Sequence, residues 1–235
     1  MLADQADDRR PGEEGEIADR RDDGDPRPGV LRVVGRRAHP DREAQAGAHS
    51  PQRCTGIRRI FVPENKMEDI WKAIAASLSQ TMIGNPLNEK VRMGSLAGQT
   101  QRNEVREQVQ KLLASSQIIY GSLDNVDVLD ADAKKGAFMS PVLLMNENPF
   151  TAKEVHEVEA FGPVSTIMPY KRTEDAIALS KLGKGSLCST IVTADHKIAQ
   201  QYVVGAATHH GRILVLNNEC AKESTGHGSP LPLLV

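Results

Sequence analysis

From Ile57 onward the chain alternates short apolar runs with segments in which apolar residues recur at helical spacing. That alternation predicts an α/β domain with a mostly parallel sheet flanked by helices, since each helix returns the chain to start another strand. Residues 57–63 read as a strand closed by Pro63, and Asn65 then stands where a helix N-cap belongs. Met67, Ile70, Trp71, Ile74 and Leu78 follow on one helical face, and Gly84, Asn85 and Pro86 end that unit. A second helix is expected over 99–115 with Val105, Val109, Leu112 and Leu113 inward. Residues 138–145 form a short buried-strand run in which Pro141 must sit at a start, an edge or a bulge.

Thr151 and Glu154 have capping-box spacing. Thr173 with Glu174, Asp175 and the later Gly183 brackets a helix of about nine residues. A strand over 187–193, a helix from about Ala194 carrying Ile198, Tyr202, Val203 and Ala206 on one face, and a strand over 212–217 complete the pattern. No internal repeat is present. The closing residues 230–235, Pro, Leu, Pro, Leu, Leu and Val, contain no polar turn, so the chain reads as cut rather than finished.

The first fifty residues break this pattern. They hold 9 Arg, 12 Asp plus Glu and no Lys, so 21 of 50 positions are charged, and no period of 3.6 or 2.0 runs through them. Such a segment cannot build a core. It reads as a charged disordered stretch, or as a non-native extension of the kind a mis-set start or frame produces. The domain organisation expected is therefore 1–50 as this segment and 51–235 as the folded unit.

Net charge narrows the function classes. The 235 residues carry a formal charge of −2, which lacks the basic excess a dedicated nucleic-acid binder needs. No apolar run reaches membrane-spanning length and no secretory leader pattern opens the chain. Cys54, Cys188 and Cys220 are odd in number and too far apart for a CxxC site, which fits free thiols in the cytoplasm.

Four places carry candidate chemistry. Cys54 lies just before the first strand with Arg53, Arg58 and Arg59 close in sequence, a setting that favours the nucleophilic thiolate, although a lone cysteine there also fits a small buried hydrophobe. Glu159, Phe161, Gly162 and Pro163 combine a carboxylate, an aromatic ring and a turn before a strand; the turn alone accounts for Gly162 and Pro163, while the carboxylate could hold a ribose diol. His209 and His210 read as cations at a helix C-terminus rather than as a metal pair, and no metal site is expected. Cys188 and Cys220 read as core thiols.

At Cys54 the sequence resembles the nucleophile motif GQxCxAxxR of the aldehyde dehydrogenase superfamily. The order of later motifs agrees. Residues 93–96 are similar to the family's G-P-L turn, 159–164 to E-x-F-G-P-V, and 211–217 to its late G-x-v-x-v-N strand. Residues 92–102 and 227–232 further resemble the semialdehyde dehydrogenase domain of the bifunctional ring-opening enzyme of phenylacetic acid degradation.

The resemblance implies an aldehyde dehydrogenase catalytic-domain fold, from the C-terminal half, acting on a small aldehyde or a CoA-thioester semialdehyde with NADP or NAD as acceptor. It implies Cys54 as nucleophile, with its backbone N–H as an oxyanion donor, Glu159 on the nicotinamide-side ribose and Phe161 beside the nicotinamide end. Complete members form homo-oligomers. The family's general-base glutamate, in an E-L-G-G motif, and its oxyanion asparagine precede the cysteine, and no such motif occurs in residues 1–53. The isolated chain is therefore expected to lack turnover. The alternatives are a catalytically dead fragment docking on an intact dehydrogenase subunit, and a reactive-cysteine module for acyl-CoA or thiols.

Overall fold

The computed structural model describes residues 56–220, and the expectations for the first fifty residues, for Cys54 and for 227–232 lie outside them. Six strands and five helices follow one another as β1 (Arg59–Pro63), α1 (Met67–Leu78), α2 (Gln99–Leu112), β2 (Gln117–Tyr120), β3 (Val142–Met145), α3 (Glu154–Glu157), β4 (Val164–Tyr170), α4 (Thr173–Lys181), β5 (Ser186–Val192), α5 (His196–Ala206) and β6 (His210–Leu216). The strands make a four-stranded sheet in the order β1-β4-β3-β2 and a separate pair, β5-β6. All pairings are parallel except that of β2 with β3, in agreement with the mostly parallel sheet expected.

Successive side chains of a strand point to opposite faces, and here both faces are apolar. Ile60, Val62, Leu143 and Ile167 point one way and pack under α1, against Ile70, Trp71 and Ile74. Phe61, Val142, Leu144, Val164 and Met168 point the other way, into the larger core shared with Val105, Val109 and Leu112 of α2. Leu179 of α4, Ile191 of β5 and Tyr202 and Ala206 of α5 join that same core, which is how the second sheet is attached. The inward faces of α1, α2 and α5 are those their apolar spacing predicts.

The ends differ from expectation where local chemistry intervenes. Asn65 is not an N-cap: residues Glu64–Lys66 form a 3-10 turn and Lys66 precedes α1 with no side-chain cap. Thr151 and Glu154 do not form a capping box, because the Thr151 hydroxyl donates to the Asn148 carbonyl at 3.1 Å. One half of such a cap occurs instead at α4, where the Arg172 backbone N–H donates to the Asp175 carboxylate at 2.9 Å. Pro141 stands just ahead of β3, as its missing donor requires. Strand β2 is an addition to the expected elements, an edge strand with Gln117 and Ile118 exposed.

Among the described residues no helix is long and apolar enough to cross a membrane. Leu144 is fully buried on the α2 side of the sheet. Replacing it with alanine removes its contacts and leaves a cavity, an expected loss of about 2–5 kcal/mol that a shifted urea midpoint at unchanged slope would record.

Candidate active site

Two of the family-like residues, Glu159 and Phe161, lie on a segment that faces the residues just before β1. Residues 56–58, which begin two positions after Cys54, line one side of a shallow cleft, and residues 158–162 line the other. The second segment is tied at both ends. At one end the Val158 N–H donates to the Glu154 carbonyl at 2.9 Å, and at the other the Val142 N–H donates to the Pro163 carbonyl at 2.8 Å. Between these ties Ala160 is buried, which turns Glu159 and Phe161 on either side of it outward. Phe161 adopts a positive φ of 50°, a conformation an aromatic residue holds only where its surroundings impose it. The residue is 43% exposed at the cleft.

Gly162 is required by proximity rather than by its dihedral angles. A Cβ there would stand 2.9 Å from both methyls of Val105, so the turn lies directly on α2. The turn expected at Gly162 and Pro163 is thus also a packing contact.

The arginines behind Cys54 are committed to the backbone of other elements. Arg58 Nη2 donates to the His156 carbonyl at 3.0 Å. Arg59 Nη1 donates to the Leu179 carbonyl and Nη2 to the Ser180 carbonyl, each at 3.0 Å, and its guanidinium lies 5.4 Å from the centre of the Phe61 ring. Burial, and next the charge of Arg58, lower the Arg59 pKa to about 10, with Tyr202 opposing, so it remains a cation at neutral pH. His156, which the sequence did not single out, is buried between Arg59 and the Pro149 carbonyl. The adjacent Arg58 and Arg59 at the start of an apolar strand were the available signal for this cluster.

Other expected site residues lie elsewhere. Helix α5 passes at Ala207 into a 3-10 turn whose last residue is His209, at the helix end as expected, whereas His210 opens β6, where its Nδ1 is 2.5 Å from the Ser186 hydroxyl. Cys188 is half-buried and Cys220 exposed, so Cys220 is no core thiol: its position after β6, in the turn closed by Asn217, keeps it at the surface. Among the described residues no group of three or more His, Cys, Asp or Glu is placed to hold a metal ion.

The profile of the aldehyde dehydrogenase family matches residues 41–225. The chain belongs to the aldehyde dehydrogenase family. It is 36% identical over 181 residues to the 3,4-dehydroadipyl-CoA semialdehyde dehydrogenase of Aromatoleum evansii, covering 77% of this chain and 35% of that protein. It is 45% identical over 145 residues to Protein MaoC of Klebsiella aerogenes, covering 61% of this chain and 41% of that protein. Betaine aldehyde dehydrogenase from Staphylococcus aureus, solved in complex with NAD+, shares the fold with a TM-score of 0.64 at 22% identity, over 74% of this chain and 34% of that structure. The chain thus spans 34–41% of the length of these relatives.

The close approach at Gly162 yields a direct test. Gly162→Ala is expected to destabilise the domain by about 1–3 kcal/mol through overpacking, and Val105→Ala in the same chain should recover part of that loss. A double-mutant cycle by urea unfolding measures the coupling; additive effects would show that the two positions do not touch.

Proposed function

We propose that this chain supplies the nucleophile and the nicotinamide-facing turn of an NAD(P)-dependent aldehyde oxidoreductase. The observation that carries the reading is a single cleft lined both by the residues following Cys54 and by the turn bearing Glu159 and Phe161. Cys54, as the thiolate, adds to the aldehyde carbon, and the former carbonyl oxygen takes up a proton to give a thiohemiacetal. Its own backbone N–H is one donor to that oxygen as charge develops. NAD(P), held at Glu159 and Phe161, would supply the hydride acceptor for that carbon, and the hydroxyl proton of the thiohemiacetal would leave to water as the thioester forms. The thioester left on Cys54 is cleaved by water, which releases the acid and restores the thiol.

The two outward side chains of the turn fit such a cofactor. The exposed Glu159 carboxylate offers two acceptor oxygens to a ribose diol, and the exposed Phe161 ring offers an apolar face beside the nicotinamide. Likeness to the Aromatoleum protein supports a CoA-linked semialdehyde as substrate, and the resemblance of residues 92–102 carries the reading to phenylacetate degradation. The reading extends to a cytoplasmic homo-oligomer, and to lack of turnover by these 235 residues alone.

Docking on an intact dehydrogenase subunit is the second reading. Leu187, Val204 and Val215 favour it, being apolar and exposed on β5, α5 and β6. Stable co-purification with a full-length dehydrogenase, lost on converting these three residues to polar ones, would support docking; separate elution would end that reading.

Alkylation tests the nucleophile. At neutral pH iodoacetamide is expected to modify Cys54 faster than the exposed Cys220 and the half-buried Cys188, as followed by peptide mass spectrometry. Equal rates at Cys54 and Cys220 would remove Cys54 from the role.

A further inference from the structure

Beside the cleft, and sharing Arg58 with its wall, lies a hydrogen-bonded polar cluster formed by Arg58, Arg59 and His156. Arg59 Nη1 lies 3.0 Å from His156 Nδ1, and His156 Nε2 lies 2.7 Å from the Pro149 carbonyl oxygen. A guanidinium has only donors and a carbonyl has only an acceptor. Nδ1 must therefore carry the lone pair and Nε2 the proton, which fixes the neutral Nε2–H form of the ring. Arg58 holds the backbone of the same residue through its carbonyl. Consecutive arginines, four and five positions after Cys54, thus grip one histidine by its ring and by its main chain. That histidine stands three positions before Glu159, in the short helix whose last turn leads straight into residues 158–162.

We propose that His156 is the positioning residue that fixes the Glu159–Phe161 turn against the strand following Cys54, and that protonation at Nδ1 releases that turn. Its bearing on a cofactor rests on the reading of Glu159 and Phe161 given above. The release follows from the donor count. A proton on Nδ1 would point an N–H at the Arg59 guanidinium, donor against donor and cation against cation. Arg59 cannot turn away to accommodate it, because the Leu179 and Ser180 carbonyls hold it in place.

The charges facing His156 are predominantly positive. Arg59 comes from β1 and Arg58 from just before it, while His210 of β6 lies in the field of Arg59. Lys184, beyond α4, is paired at 2.9 Å with Glu157, which is the acidic neighbour on the histidine's own helix; Glu154 and Lys153 complete that element. Burial first, then Arg59 and Arg58, push the His156 pKa below the usual imidazole value, with the Pro149 carbonyl and Glu157 opposing. The unfolded chain then binds more protons than the folded one between the lowered value and about 6.5. The clamp's contribution is fully present above about pH 6.5 and is lost as pH falls through the lowered value.

Amide hydrogen exchange on the 235-residue chain, corrected for intrinsic rates, reads the turn without any cofactor. Between about pH 7.5 and pH 5, inside the range where a histidine titrates, residues 158–162 are expected to lose several-fold protection while α2 keeps its own. His156→Asn, which can present a non-titrating oxygen to Arg59, is expected to flatten that pH profile. His156→Ala should leave the turn weakly protected at every pH. Ring nitrogen shifts of His156 in the unaltered chain give a measurement independent of whether the variants fold, with the Nε2–H form expected at neutral pH. An Nδ1–H ring, a flat profile for residues 158–162 in the unaltered chain, or an Asn variant that still titrates would overturn the proposal. None of these outcomes depends on Cys54 alkylation, so the positioning role and the oxidoreductase reading fail separately.

Discussion

Arg59 carries a positive charge partway into the interior where β1, α3 and α4 come together, and the surrounding backbone is arranged around that fact. A cation withdrawn from water is tolerated only when its donors are matched, since its desolvation is otherwise uncompensated. Here the match is supplied by the carbonyls of Leu179 and Ser180, the ring of His156 and the face of Phe61. None of these groups is interchangeable with a flexible surface acceptor. Two are main-chain atoms at the end of α4, so the register of that helix against β1 is set by the guanidinium fork. Gly183 completes the arrangement by leaving free the space the fork fills. Loss of the arginine would leave buried carbonyls unpaired, a penalty separate from loss of its packing.

The cleft inherits its geometry from the same frame. Strands β1, β4 and β3 are covered on both faces, so their relative positions are fixed by the core rather than by solvent-exposed loops. The turn bearing Glu159 and Phe161 opens directly into β4, and its other end hangs from α3. A strand in a packed sheet and a helix gripped by two arginines leave the turn little freedom between them. Phe161 can therefore be held in a left-handed conformation, which an untethered loop would relax.

How much of this was legible in the sequence depended on whether the evidence was local. Helices α1, α2 and α5 show a continuous apolar stripe, and α4 shows its start in Thr173, Glu174 and Asp175, so these four could be read directly. Strand β2 could not, because an edge strand of four residues with Ile118 exposed has no alternating pattern to report. Cys220 sits after an apolar strand and resembles a core thiol, yet the Asn217 turn carries it out of the core. The Glu159–Val164 turn was legible through its motif, whereas the clamp behind it was not. Arg59 and His156 are 97 residues apart, and no periodicity links residues so distant.

That separation bears on how the cleft comes into being. β1 finds its partner only in β4, and the Ser165 hydroxyl that reaches the Ile57 carbonyl lies 108 residues further along the chain. During synthesis, the stretch after Cys54 emerges long before anything exists for it to pair with. Its strand must wait, unpaired, while α1, α2 and the β2–β3 ribbon are made. Closing so long a loop is slow, because its entropy is lost before the parallel ladder repays it. The cleft thus closes only once β4 has been made, and an arrested chain ending before β4 would carry residues 56–58 as one wall of a cleft without its frame.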